Sequence, residues 1–173
     1  MEIEDLKHYI GRQDIYALQL NNGGYIPVKK PITDADLQAH LKGEKTLGTY
    51  VIRPDNTVTY ACIDIDGDAN DLKPLLLLAN VVYTLFPDCD RVLEFSGRRG
   101  YHIWLLFDEP EPAGFIKDMA ETRLRKAGLR NIEVFPKQAY LSGKGYGNLI
   151  KMPGGLHKKG GWSKILKETP REE

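Results

Sequence analysis

A chain of 173 residues with 42 % hydrophobic content can bury one ordinary core, alone or with a smaller lobe, and should fold without staples. Cys62 and Cys89 stand in no CxxC or Cys/His spacing, which excludes a zinc site or disulfide framework and favours a reducing, cytoplasmic setting, while the longest apolar stretch, around residues 75 to 83, is far too short to span a bilayer. The acidic start is unlike a signal peptide, so no membrane partner is expected, and the formal net charge of zero hides a separation: −6 over residues 1 to 95, +8 over 96 to 167 and −2 over the last six.

Residues 1 to 56 read as an amino-terminal αβ module. A helix opens the chain, a hairpin follows in which IleTyrAlaLeuGlnLeu pairs with TyrIleProValLys around AsnAsnGlyGly, and a short helix is capped by Thr33 with Asp36 three residues on. Residues 57 to 66 form an apolar run that ends in Asp64 and Asp66. Asn70 is a candidate cap for a helix carrying Leu72, Leu75, Leu76, Ala79, Val82, Tyr83 and Phe86 at helical spacing. Strands over 91 to 95 and 101 to 107 flank the turn GlyArgArgGly at 97 to 100. ProGluPro at 110 to 112 breaks the chain before a second helix with Phe115, Ile116, Met119, Ala120 and Leu124. Gly128 stops that helix, and residues 131 to 135 form the next strand. The order from 57 onward is βαββαβ, so the fold class is α+β: a ferredoxin-like or RNA-recognition-type palm over 57 to 166, packed with the amino-terminal module, and a frayed tail over 167 to 173.

In that topology the first strand of the palm lies between the third and the fourth. Alternation then sends Ile63, Ile65, Tyr101, Ile103, Leu105, Ile132 and Val134 toward the helices, and Asp64, Asp66, His102 and Glu133 to the opposite face. Residues about 70 positions apart converge by this rule alone. Trp104 and Leu106 share the polar face, and exposing them would be costly. The amino-terminal piece, or the segment after 140, is therefore expected to cover them.

Neighbouring carboxylates repel unless a cation neutralises them, and hard oxygen ligands suit Mg²⁺ or Mn²⁺. Three acids on adjacent strands, Asp64, Asp66 and Glu133, are what a phosphoryl-transfer site with two ions about 3.5–4 Å apart requires. SerGlyArgArgGlyTyrHis at 96 to 102 offers glycine-bounded backbone amides with Ser96, Arg98, Arg99 and His102, a set suited to a triphosphate. A second basic stretch at 148 to 161 places Lys151, His157, Lys158 and Lys159 in a loop bounded by glycines.

These residues resemble the archaeo-eukaryotic primase superfamily over roughly 57 to 161. Its acidic pair after an apolar strand is matched by Asp64 and Asp66, its Ser-to-His turn by Ser96, Arg98, Arg99 and His102, and its later carboxylate by Glu133, which is usually Asp in primase small subunits. LysMetProGlyGlyLeuHisLysLysGlyGly is similar to the basic stretch that contacts nucleotide phosphates in that family, pointing to Lys151, His157 and Lys159. The amino-terminal part and GluValPheProLysGln look more particularly like the primase-polymerases of prokaryotic mobile-element and defence loci, including the CRISPR-associated ones. The resemblance implies a template-directed nucleotidyltransferase using two Mn²⁺ or Mg²⁺ ions and nucleoside triphosphates. It would extend a primer on a single-stranded DNA or RNA template, start chains de novo, and work with additional domains or defence-system proteins.

Two rival readings use the same residues. A metal-dependent nuclease shares the carboxylates but needs no separate triphosphate cradle. A non-catalytic single-strand-binding module would use the same sheet, but carboxylates at its centre repel a nucleic-acid backbone.

Overall fold

The computed structural model describes residues 1–169, so the last four positions of the expected tail lie outside the described residues. The chain begins with α1 (Ile3–Lys7), the hairpin β1 (Tyr16–Gln19) and β2 (Tyr25–Val28), α2 (Asp34–Leu41) and β3 (Leu47–Tyr50). Thr33 caps α2 through a reciprocal box with Asp36. The palm follows as β4 (Thr57–Asp66), α3 (Leu72–Thr84), β5 (Asp90–Phe95), β6 (Gly100–Pro112), α4 (Ala113–Lys126) and β7 (Glu133–Phe135). Two short strands close the described chain, β8 (Leu149–Lys151) and β9 (Lys164–Glu168).

The palm sheet runs β7-β4-β6-β5-β9, so β4 lies between the third and fourth strands of the βαββαβ unit. One face packs against α3 and α4, with Ile63, Ile65, Ile103, Leu105 and Leu93 almost wholly buried. Ala79, Val82 and Phe86 come from the α3 side, and Ala113, Ile116, Ala120 and Leu124 repeat at helical spacing on α4. A smaller sheet, β2-β1-β3-β8, borrows β8 from the far end of the sequence, which joins the amino-terminal strands to the segment after the palm.

Several expectations shift locally. Asp71, not Asn70, stands at the N-cap of α3. The Asp68 carboxylate accepts both the backbone and the side-chain N–H of Asn70, at 2.9 and 3.0 Å, so Asn70 is held in a turn of its own. The prolines at 110 and 112 do not end the strand: β6 continues to Pro112, because its register slips between Val58 and Tyr60 and residues 107 to 110 bulge out. The last palm strand starts at Glu133, since Asn131 adopts φ 61°. Phe115 is exposed, lying off the stripe of α4 that meets the sheet. Lys167 and Glu168, which the sequence assigned to the tail, are part of β9.

Trp104 and Leu106 are covered as expected, at 0 and 8 % exposure. Tyr9, just after α1, sets its ring edge-on to Trp104 with centroids 5.0 Å apart, and Tyr60 does so from β4 at 5.3 Å. The amino-terminal module thus covers one end of the polar face and leaves the other open.

Candidate functional site

The open end of the polar face is organised by strand register. Asp64 is directly opposite His102 on β6 and Glu133 on β7, and His102 is in turn opposite Glu94 on β5, which makes a row of four ionisable residues across four strands. Asp66 follows one pleat further along β4. Asp64, Asp66 and His102 form the floor of a cleft bounded by the 96–99 turn, the end of β8 and the loop after it.

Of the ten residues expected from the sequence, the cleft brings together Asp64, Asp66, Ser96, Arg98, Arg99, His102, Lys151 and His157. Glu133 and Lys159 do not line it. Glu133 is adjacent to Asp64 by register, but its half-exposed side chain turns to Lys137 one helical-type spacing on, at 3.1 Å. Lys159 is exposed and contributes its backbone N–H to His157 Nδ1 at 3.0 Å, while its aliphatic stem lies beside Gly23 of the β1–β2 turn. Lys151 is not in a loop but ends β8; its buried ammonium donates to the Met152 carbonyl at 2.8 Å.

The turn is docked by a residue with no side chain. Gly97 has φ +93°, and a Cβ there would approach the Gly161 carbonyl to 2.5 Å. The Gly161 N–H donates to the Gly97 carbonyl, so the turn and the basic loop are joined edge to edge. Ser96 closes the turn by donating its N–H to Gly100 at 3.0 Å. Arg99 reaches back to Asp66, with 2.9 and 3.1 Å contacts to one carboxylate oxygen, whereas Arg98 makes no hydrogen bond or ion pair among the described residues.

The charges on the floor are coupled. Burial raises the Asp64 carboxyl above its ordinary value, Asp66 and Glu133 add to the rise, and His102 opposes it. Asp64 Oδ1 is buried without a hydrogen-bond partner, with His102 Nε2 3.6 Å away. Burial would lower the His102 imidazole, but Glu94 and Asp64 on its two sides raise it. His157 is lowered by burial first and then by Lys151, Arg98 and Arg99; its Nδ1 accepts the Lys159 N–H, which leaves Nε2–H as the donor of the neutral ring.

Glu94 is the residue that reading the sequence missed. It is fully buried and accepts hydrogen bonds from His102 Nδ1 at 2.9 Å, Trp104 Nε1 at 2.7 Å and the Ser163 hydroxyl. Burial would push its carboxyl up, yet His102, Lys151 and Ser163 hold it at about 2. The available signal was a lone acid within the apolar strand ValLeuGluPhe, opposite His102 in the hairpin. Tyr25 on β2, Phe135 on β7 and Leu149 on β8 also line the cleft and were not foreseen as part of it.

Among the described residues no three or more His, Cys, Asp or Glu side chains are gathered closely enough to hold a metal ion as they stand. Nor is any helix of the described chain long and apolar enough to cross a membrane.

Residues 6–165 match the family model described as the archaeo-eukaryotic primase domain of TOTE conflict systems. The model names those systems rather than the CRISPR-associated loci among the expectations. Among solved structures, the archaeo-eukaryotic primase domain of the primase-polymerase of cyanophage S-2L is similar at 13 % identity, with a TM-score of 0.56 over 90 % of this chain and 80 % of that one. That likeness is one of fold. No curated protein matches the chain.

Proposed function

The chain belongs to the archaeo-eukaryotic primase domain family of TOTE conflict systems, and from that membership we propose that it is a template-directed primase-polymerase that adds nucleotides to a 3′-hydroxyl. The observation that carries the reading is the strand register. It sets Asp64 opposite both His102 and Glu133, on the floor of a cleft whose rim carries Arg98, Arg99, Lys151 and His157.

The donor set fits a hard divalent cation. A buried carboxylate oxygen at Asp64 with no partner is the position where a cation would remove a cost, and Asp66 lies one pleat away on the same face. Asp64, Asp66 and Glu133 would hold Mn²⁺ or Mg²⁺, with Glu133 released from Lys137 and Asp66 from Arg99. Bound there, two such ions lower the proton affinity of an attacking hydroxyl and offset charge on the leaving pyrophosphate.

The remaining work falls to the chain's own groups. Arg98, with no competing anion among the described residues, is free to pair with a phosphate oxygen, and Arg99 joins it when Asp66 lets go. His102 is fixed through Nδ1 and turns Nε2 toward Asp64 and the cleft. His157 lines the opposite side, and Lys151 supplies a desolvated positive charge. Tyr25 and Phe135 provide apolar surface for the rest of the nucleotide. Catalysis on this reading is positioning and electrostatic stabilisation of a phosphoryl group in transfer.

The test is primer extension on a single-stranded template with Mn²⁺ or Mg²⁺ and nucleoside triphosphates. Asp64→Ala and Asp66→Ala should each abolish incorporation while leaving circular dichroism and the melting transition recognisably native. Undiminished extension by either variant would remove it from the reaction. Degradation of the template without any need for nucleotide would instead support a nuclease.

A further inference from the structure

Glu94 is the most completely buried carboxylate among the described residues, and the proposed reaction gives it no direct part. It lies beneath the cleft floor at 0 % exposure, with both oxygens engaged. Oε2 accepts from His102 Nδ1 at 2.9 Å and from Trp104 Nε1 at 2.7 Å. Oε1 accepts the Ser163 hydroxyl and lies 4.0 Å from Lys151 Nζ. Ser163 Oγ in turn accepts the Gly154 N–H at 2.9 Å, at the start of the loop that carries His157.

One carboxylate therefore ties together four parts of the chain: its own β5, β6 through His102 and Trp104, β8 through Lys151, and the stem of the basic loop through Ser163. These parts belong to different sheets, and nothing else in the described site touches both His102 and Lys151. A buried ion is a poor way to gain stability, since an apolar side chain of similar volume packs as well without desolvation. What it does supply is direction, because each acceptor lone pair fixes one donor.

We propose that Glu94 is a positioning residue that holds the His102 ring and the Lys151 ammonium at a fixed spacing, against which the phosphate chain of the incoming nucleotide is seated. The inference rests on the nucleotide reading of the cleft. Glu94 acts through its two partners and touches no substrate. Tying Nδ1 leaves Nε2 of His102 directed into the cleft, and the charge of Glu94 keeps the Lys151 ammonium from turning away to solvent.

The experiment compares the full chain with Glu94→Gln, Ser163→Ala and Trp104→Phe. Gln keeps the shape and an acceptor for His102 and Trp104 but withdraws the charge that faces Lys151. It should raise KM for the nucleotide and Kd for inorganic tripolyphosphate by about tenfold each, with kcat per folded molecule changed by less than about threefold. Ser163→Ala should raise both constants by roughly threefold, and Trp104→Phe, which removes one hydrogen bond to Glu94 but keeps an aromatic ring beside His102, should leave them where they were. KM and Kd unchanged in Glu94→Gln, with activity lost only in proportion to folded protein, would make Glu94 a packing residue and overturn the proposal. Should Glu94→Gln fail to fold, Ser163→Ala decides alone, an unchanged KM and Kd counting against it. A wild-type chain that incorporates nothing with either metal overturns the polymerase reading, and tripolyphosphate affinity still reads the positioning role.

Discussion

Asp64 is both the best-placed and the least well-accommodated carboxylate of the chain. Register sets it opposite His102 and Glu133, yet one oxygen is buried without a hydrogen bond, and burial with two neighbouring acids raises its proton affinity. An acid whose value is raised on folding is less welcome ionised in the fold than in the unfolded chain, so a neutral isostere should stabilise at neutral pH. Asp64→Asn is therefore expected to melt higher than wild type in metal-free buffer. Mn²⁺ should raise the Tm of the wild type and leave that of the variant unmoved, since a cation binding only the folded form stabilises by mass action. Thermal melts with and without the metal check this, and a lower metal-free Tm for Asp64→Asn would show that the orphan oxygen costs nothing. At this scale simple alternation made much of the site legible, because a pleat carries a face assignment from Asp64 to Asp66, His102 and Glu133. It gives a face and not a side-chain direction, which is why the turn of Glu133 toward Lys137 was not visible. It also needs a partner strand before a lone acid such as Glu94 can be matched to His102.

Two glycines separate what a turn needs from what a site needs. Gly97 and Gly128 both have positive φ, +93° and +75°, but a Cβ at Gly97 would meet the Gly161 carbonyl while one at Gly128 meets nothing within 4 Å. Alanine at either position costs about 1–2 kcal/mol for the left-handed backbone. Only Gly97→Ala also pushes the hairpin turn away from the basic loop. Its nucleotide KM should rise by about tenfold or more, while Gly128→Ala keeps the wild-type KM at a similar loss of stability. Steady-state kinetics beside denaturant melts would separate the two, and equal KM values would mean that the turn and loop need not touch. The elements themselves were legible where a long period marks them: β4, the two helices and the hairpin all carry runs that alternate by two or by 3.6. The strands β3, β8 and β9 were not. Each has five residues or fewer, and Gly48 finds its partner Lys151 about a hundred positions away, a pairing that only the folded chain makes.

A buried histidine ties α2 to β3 and to the loop after β8, joining the two ends of the chain. His40, near the end of α2, accepts the Leu47 N–H on Nδ1 at 3.0 Å and donates from Nε2 to the Pro153 carbonyl at 2.9 Å, and its ring fills the space where Gly155 has no side chain. Burial first, and then the charge of Lys151, lower its proton affinity to about 4 from 6.5. A base whose value is depressed on folding contributes stability that is full above 6.5 and is lost as pH falls from 6.5 toward 4, because the unfolded chain takes up the proton first. His157 is shifted in the same sense. Glu94 and Asp36, acids held at about 2, add a second loss as pH falls from about 4.5 to 2, which Asp64, an acid shifted upward by burial, offsets in part. His102 runs the other way: raised by Glu94 and Asp64 against its burial, it contributes below 6.5 and loses that contribution as pH rises through its folded value. Thermal stability should therefore peak near pH 6.5, with a limb on each side and the acid limb in two stages. His40→Gln should lower the peak by roughly 1–3 kcal/mol and flatten the stage between 6.5 and 4 to the smaller share left to His157, while the stage below 4.5 persists. Denaturant melts across pH 3 to 8 provide the comparison, and an undiminished slope between 6.5 and 4 in the variant would place the sensitivity elsewhere than at His40.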